Sequence, residues 1–275
     1  TLFFPGSAKD KKKSRAFWVA KVENVPGHLQ YKKGIDQPNA ENIKWLSENH
    51  FKEKLTWKKN RGVASIEKNP EGIFKLIDNK DDVYFAENVI LCTGVMDIQP
   101  KFSGSIQPIL PYANVQVVDY CIRCDGHHVI EKDVTIIGSG EDAIWVSFIL
   151  HERYQPKSMN ILTNGEEINL SDKEKKLCQL YNINIYTKKI IDIRGNAKEE
   201  NLEAYIFDDN SEIKTDFTIV SLGMIVYNQL ALSVGADVDE RGFVKTDSKG
   251  LTTIANFYVA GDLRANTKKQ IYTSW

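Results

Sequence analysis

The segment Asp133-Val134-Thr135-Ile136-Ile137-Gly138-Ser139-Gly140-Glu141-Asp142-Ala143 constrains this chain more than any other. Its first five residues read as a buried strand, and the G-x-G-x-x-A after them reads as a tight turn into a helix. The glycines allow the turn and a close approach to the backbone, while the helix start offers unpaired N–H groups to a pyrophosphate. Alone, the pattern also fits an ordinary strand–helix turn. The downstream residues extend it: an apolar helix over Ala143–Leu150, a second strand over Met159–Leu162, and a Ser171/Glu174 capping box opening a helix through Leu180. Ile183–Tyr186 then returns to the sheet. Strands alternating with helices predict a doubly wound α/β domain.

Just ahead of the glycine turn stands Cys121-Ile122-Arg123-Cys124-Asp125-Gly126-His127-His128. Two cysteines held two residues apart can close into a readily reduced disulfide, and a thiolate is the reactive form. The same pair could be half of a zinc site, but no second C-x-x-C or H-x-x-H completes one, so no metal is expected. His127 and His128 read either as a base for a dithiol, since imidazole titrates near neutrality, or as loop residues at the surface. Cys92 reads as a small core residue and Cys178 as a helix residue.

The remainder supplies strands. Leu2-Phe3-Phe4 reads as a strand ended by Pro5-Gly6, Lys9–Arg15 as a solvated loop, and Ala40–Phe51 as helical. Val63–Glu67, Ile73–Ile77 and Val83–Phe85 lead into Val89-Ile90-Leu91-Cys92-Thr93-Gly94; Ile190–Ile193, Ala204–Phe207 and Ile213 lead into Phe217–Val220 and Ser221-Leu222-Gly223. Each half thus carries a β-meander before a strand that ends in glycine, a weak duplication. A net charge of -1 gives no field for nucleic acid or an anionic membrane. No apolar run is long enough to span a bilayer, and four scattered cysteines are no secreted framework. A soluble protein of the reducing cytoplasm, with no nucleic-acid or membrane partner, is expected.

Together these motifs resemble the low-molecular-weight thioredoxin reductases and their relatives among the flavin-dependent pyridine nucleotide-disulfide oxidoreductases. The residues that carry the resemblance are Cys121–Gly126 before Gly138–Ala143, Val22-Glu23-Asn24-Val25-Pro26-Gly27 near the start, Cys92-Thr93-Gly94, Ala260-Gly261-Asp262, and Lys269-Gln270. The resemblance implies an α/β chain of two Rossmann-like three-layer domains, the nicotinamide-binding domain (110–225, with the C-x-x-C) inserted into the FAD-binding domain (1–109 and 226–275). It implies that Asn24, Thr93, Gly94, Gly261, Asp262, Lys269 and Gln270 hold FAD. It further implies that Gly138, Ser139, Gly140, Glu141, Asp142, Ala143, Asn164 and Gly223 hold a nicotinamide. By the same resemblance, reduced FAD opens a Cys121–Cys124 disulfide, Cys124 faces the flavin, Cys121 attacks the substrate, and Asp125 is the acid/base. The electron acceptor would be a thioredoxin-like protein or a small disulfide or dithiol, and the enzyme a homodimer acting as a thioredoxin-disulfide reductase.

Two departures bear on this. No G-x-G-x-x-G opens the chain, which starts near the second strand of the family's flavin domain and stops at Trp275 in what reads as the first turns of a helix. A fragment is therefore expected, and loss of FAD in favour of a binding module is the alternative. Second, Thr163-Asn164-Gly165-Glu166-Glu167 stands where NADPH-using members carry a basic H-R-R. Carboxylates there repel a 2′-phosphate, so NADH is expected in preference to NADPH, or no nicotinamide, as in an FAD/oxygen-dependent dithiol oxidase.

Overall fold

A computed structural model of the chain describes residues 1–15, 21–31, 34–48 and 51–273. It divides into two compact units: residues 97–223 with the segment 19–34, and residues 1–18, 35–96 and 224–275, each as far as it is described.

In the first unit, strands β1 (Val118–Asp119), β2 (Asp133–Ile137), β3 (Ser158–Leu162), β4 (Ile183–Tyr186) and β8 (Phe217–Val220) form a parallel sheet in the order β4-β3-β2-β8-β1. Helices α1 (Ile122–Asp125), α2 (Glu141–Tyr154) and α3 (Asp172–Leu180) lie in the connections, and β5 (Ile190–Asn196), β6 (Asn201–Phe207) and β7 (Glu212–Lys214) form an antiparallel meander before β8. The period of two along each strand divides the core. Val134, Ile136, Met159, Ile161, Phe217 and Ile219 pack with Ile144 and Phe148 of α2 and Cys178 of α3. Ile137, Leu162 and Val220 pack with Leu202, Tyr205 and Phe207 of the meander. The result is three layers, helices and meander flanking a buried parallel sheet. Its order reverses beside β2: α2 and α3 lead to β3 and β4 on one side, while β8 and β1 lie on the other. The carboxyl ends of β2 and β8 therefore flank a topological switch point, where such sheets bind ligands. At the ends of the 97–223 stretch, the Ile98 N–H donates to the Gly223 carbonyl at 3.1 Å.

Within this core the Tyr205 hydroxyl lies 2.8 Å from Thr218 Oγ1, and both residues are fully buried. Tyr205→Phe leaves that threonine without its partner. An unfolding free energy lowered by about 1–2 kcal/mol, read as a lower midpoint at unchanged slope in a denaturant titration, is expected.

In the second unit the helix Asp36–Glu48 precedes an antiparallel meander, Val63–Lys68, Phe74–Asp78 and Val83–Ala86. Strand Val89–Leu91 then pairs in parallel with Phe257–Val259. Phe74, Leu76, Val89, Leu91, Val244, Phe257 and Val259 share its core. The α/β class is as expected. Three local expectations fare differently. Lys9–Arg15, read as a loop, begins with a helical turn, Ala8–Lys11: Ser7 and Asp10 form a reciprocal capping box that outweighs the mutual repulsion of the lysines. The helix read as Ala40–Phe51 starts four residues earlier, at Asp36, with the buried Pro38 in its first turn. Cys92 is exposed rather than in the core. Val89 and Leu91 take the inward positions of their strand, so Ile90, 69% exposed, and Cys92 fall on the opposite face.

Candidate functional site

Strand β1 ends at Asp119, and two residues later Cys121 caps α1. Its backbone is extended while Cys124 already lies in the helical turn, so the two Cα atoms are 5.3 Å apart and the sulfurs are joined in a disulfide. The Cys124 N–H donates to Cys121 Sγ at 3.2 Å, and the Asp125 N–H to the Cys121 carbonyl at 2.9 Å. The Asp125 carboxylate and the two sulfurs lie within 4.8 Å of one another. The same holds for Asp125, Asp119 and His128, so Asp125 joins the disulfide to a cluster of ionisable groups.

Gly126–Val129 form a single turn that packs Val129 into the core. This fixes the two histidines. His128 Nδ1 lies 3.2 Å from Asp119 Oδ2 and its Nε2 3.0 Å from Glu23 Oε2; His127 Nε2 lies 3.2 Å from that same oxygen. The rings are tilted against each other at 4.3 Å between centroids, and His128 meets the buried Phe217 edge-on. The His128 imidazole is held above its ordinary value, first by the hydrogen bond to Asp119 and then, against partial burial, by Glu23. Burial pushes the Asp119 carboxyl up, against the pull of His128. Partial burial acts to raise Glu23, but the rings of His128 and His127 outweigh it and hold that carboxyl low. Of these groups, Glu23 and Asp119 escaped the sequence reading as functional residues. Glu23 sits inside the V-E-N-x-P-G motif and Asp119 is a carboxylate at a buried strand end, but nothing in the spacing joins either to His128.

The glycine turn lies in the same unit. Gly138 follows β2 at the switch point, and a Cβ there would stand 2.4 Å from the Ser221 carbonyl oxygen and 2.9 Å from Ala143 Cβ. Only glycine lets the ends of β2 and β8 and the start of α2 approach so closely. Gly140 is the N-cap of α2; no side chain caps the helix, and a Cβ at Gly140 would meet no atom within 4 Å. The start of α2 thus carries no side-chain cap, and the space over Gly140 is open, as a bound pyrophosphate requires. Ser139 lies between the two glycines, and Glu141 and Asp142 fill the first helical turn, Glu141 accepting from Trp145 Nε1 at 3.1 Å. At the end of β3, Glu166 and Glu167 are exposed, and the stem of Lys189 packs against Gly165. The Asn164 side chain is engaged in the fold, donating to the Lys101 carbonyl and accepting from the Ile190 N–H, each at 2.9 Å. Gly223 has a φ of 84° and open space at its Cβ position.

In the other unit, the parallel pairing of Val89–Leu91 with Phe257–Val259 brings Thr93-Gly94 and Gly261-Asp262 to the same carboxyl edge. Gly94 (φ 65°) and Gly261 (φ 71°) both need the left-handed conformation, and a Cβ on Gly94 would enter open space. Thr93 Oγ1 donates to the Tyr227 carbonyl at 2.6 Å, and Asp262 pairs with Arg15 at 3.6 Å. Lys269 Nζ stands 4.0 Å from the Phe243 ring centre and donates to the Arg264 carbonyl and to Thr267. Burial draws its ammonium below the usual value. Gln270 is buried, its amide donating to the Lys269 carbonyl at 2.9 Å. Asn24, half-buried, belongs to the unit that carries the cysteines. Among the described residues, no helix is long and apolar enough to cross a membrane.

Known proteins resemble this chain in sequence and in fold. The chain is 27% identical over 205 residues to a thioredoxin reductase of Mycoplasma genitalium, covering 72% of this chain and 62% of that protein. It is 24% identical over 262 residues to one of Treponema pallidum, covering 94% of this chain and 80% of that one. The chain thus spans less than two thirds of the Mycoplasma relative. Among solved structures, thioredoxin reductase from Streptococcus pyogenes superposes with a TM-score of 0.79 at 17% identity, covering 99% of this chain and 84% of that one. The enzyme from Giardia duodenalis gives 0.76 at 19%, covering 100% and 85%. At such identities the structures speak for the fold. Residues 8–275 match the family model described as pyridine nucleotide-disulphide oxidoreductase, so the chain belongs to that family.

Proposed function

We propose that this chain is the redox core of a flavin-dependent disulfide oxidoreductase. The observation that carries the reading is the closed Cys121–Cys124 disulfide, with Asp125 beside both sulfurs, in the unit that also presents the uncapped glycine turn. We assign the flavin-binding domain to 1–109 and 226–275 and the nicotinamide-binding domain to 110–225, although the compact units group 19–34 and 97–109 with the cysteines and 224–225 with the other unit. Thr93, Gly94, Gly261, Asp262, Lys269 and Gln270 would hold FAD; the left-handed glycines at one carboxyl strand edge and the open space at Gly94 fit it. Gly138–Ala143, with Asn164 and Gly223, would hold a nicotinamide. When bound, the two cofactors supply hydride and a two-electron store. The chain's own residues do the thiol chemistry. The Cys121 thiolate attacks a substrate disulfide and releases one substrate thiol; the Cys124 thiolate then displaces the second and restores the protein disulfide. One disulfide is gained as one is lost. Asp125, within 4.8 Å of both sulfurs, handles the thiol protons, and His128 extends that path toward Glu23 and Asp119.

The thioredoxin reductase names of the relatives support a thioredoxin-like protein as acceptor. A homodimer in the cytoplasm accords with the family resemblance, and the unpaired Cys92 and Cys178 suit a reducing compartment. Exposed Glu166 and Glu167 at the end of β3 favour NADH over NADPH. An anaerobic absorbance spectrum of the natural-length protein tests this: a yellow protein is expected, bleached by NADH and at least tenfold less readily by NADPH. Bleaching by dithiols alone replaces the reductase with an oxygen-dependent dithiol oxidase. A colourless protein that takes up no FAD removes both and leaves a binding module.

A further inference from the structure

We infer that Glu23, His127 and His128 form a binding site for a divalent first-row transition cation, typified by Zn²⁺, with Asp119 orienting His128 from behind. Both imidazoles turn Nε2 toward a single carboxylate oxygen, Glu23 Oε2, at 3.2 and 3.0 Å, and the three donor atoms lie within 4.8 Å of one another. A cation about 2.0–2.1 Å from each donor in a tetrahedron needs donors roughly 3.3–3.4 Å apart, so the nitrogen–oxygen spacings are already near that value.

The back of the site supplies a second, independent feature. His128 Nδ1 faces Asp119 Oδ2 at 3.2 Å, and Asp119 is only 5% exposed. A proton kept on Nδ1 by Asp119 would leave the Nε2 lone pair for a cation at the site, the carboxylate–histidine–metal relay found behind metal-bound histidines. Charge agrees. Glu23, Asp119 and Asp125 bring three carboxylates to the two rings, while Lys132, its ammonium over the Phe217 ring, also acts on Asp119. A dication would replace protons shared among these groups. Two imidazoles and one carboxylate suit borderline cations such as Zn²⁺ and disfavour Mg²⁺, which prefers oxygen donors. Three protein donors leave a fourth position for water.

The site lies beside the dithiol, because Asp125 is close to both sulfurs and to the Asp119–His128 pair. A bound cation would immobilise His128 and slow thiol exchange at Cys121 and Cys124. Glu23 lies 104 residues from His127, which is why no motif announced the site.

The experiment uses the purified holoprotein with its disulfide closed, so that the two cysteines offer no thiolate, and carries Cys92→Ser to remove the exposed free thiol. Zn²⁺ is titrated in competition with a chromophoric chelator. One equivalent per chain is expected, and no competition by Mg²⁺. His127→Asn and Glu23→Gln should each weaken binding by about 100-fold, and Asp119→Asn by about 10–100-fold. The His127 side chain is 47% exposed, so that variant keeps its fold and the test stays decisive. No stoichiometric uptake, or uptake unchanged by both His127→Asn and Glu23→Gln, overturns the site. Because no turnover is measured, either result leaves the oxidoreductase reading where it stands.

Discussion

Cys121→Ser and Cys124→Ser are each expected to lower reduction of a disulfide substrate by about 10³-fold or more, the scale on which enzymes respond to losing a nucleophile. Of the four cysteines, Cys121 and Cys124 form the disulfide and Cys92 and Cys178 are free. The rest of the site does not depend on the sulfurs: Asp119, His128, Glu23 and His127 are bonded to one another, and the glycine turn is a separate element. Transfer of electrons from NADH to a dye that needs no thiols should therefore persist in both variants. A reductive thiol titration gives a second readout, since the native protein gains two reactive thiols per chain on reduction and each variant gains none. Full disulfide reduction by Cys121→Ser would show that the electrons leave by another route.

The second large effect separates two glycines of one motif. Gly138→Ala forces a methyl group to 2.4 Å from the Ser221 carbonyl and 2.9 Å from Ala143. Neither neighbour is a flexible tip, so the end of β8 or the start of α2 must move. Overpacking of this kind costs about 1–3 kcal/mol and lowers the melting temperature by roughly 2–4 °C per kcal/mol in a unit of this size. Gly140→Ala meets no atom within 4 Å and keeps an ordinary extended φ of -89°, so stability should stay within about 0.5 kcal/mol. Its methyl group projects where a pyrophosphate would reach the α2 N–H groups, and nucleotide affinity should fall at least tenfold. Thermal unfolding paired with a nucleotide titration reads both variants. Equal melting temperatures for Gly138→Ala and the native chain would sink the close-approach argument; unchanged affinity in Gly140→Ala would remove the turn from the nucleotide site.

Much of the fold was legible because it is written in local patterns. Phe217–Val220 and Ile183–Tyr186 appear as strands with the expected limits, since runs of apolar and β-branched residues bounded by turns leave few alternatives. The Ser171/Glu174 box likewise starts its helix where the two side chains can satisfy each other's backbone donors. Two misses were local signals passed over: Ser7 and Asp10 form the same kind of box, hidden in a lysine-rich run, and Pro38 lies early enough in its helix to be tolerated. Other features were out of reach. Cys92 follows an apolar strand, and only the placement of that strand's inward residues shows which face Cys92 takes. The C-x-x-C and its aspartate could be read as a unit, but the carboxylates around His128 come from the end of β1 and from a segment more than a hundred residues upstream. Pairings of that range depend on tertiary packing, which residue spacing does not encode.

The hydrogen bond between Ile98 and Gly223 gives the 97–223 stretch a single doorway, through which the chain both enters and leaves. A stretch built in this way could be cut out and rejoined at one place, because its two ends need be held only a few ångströms apart. Such a transfer has one hidden string. Glu23 travels with the host sequence rather than with the stretch, so a transplant would carry both histidines and Asp119 but arrive without the oxygen on which the two rings converge. Recombination among such chains would thus preserve the disulfide while resetting its surroundings, and the short segment around Glu23 would decide which grafts keep their full chemistry.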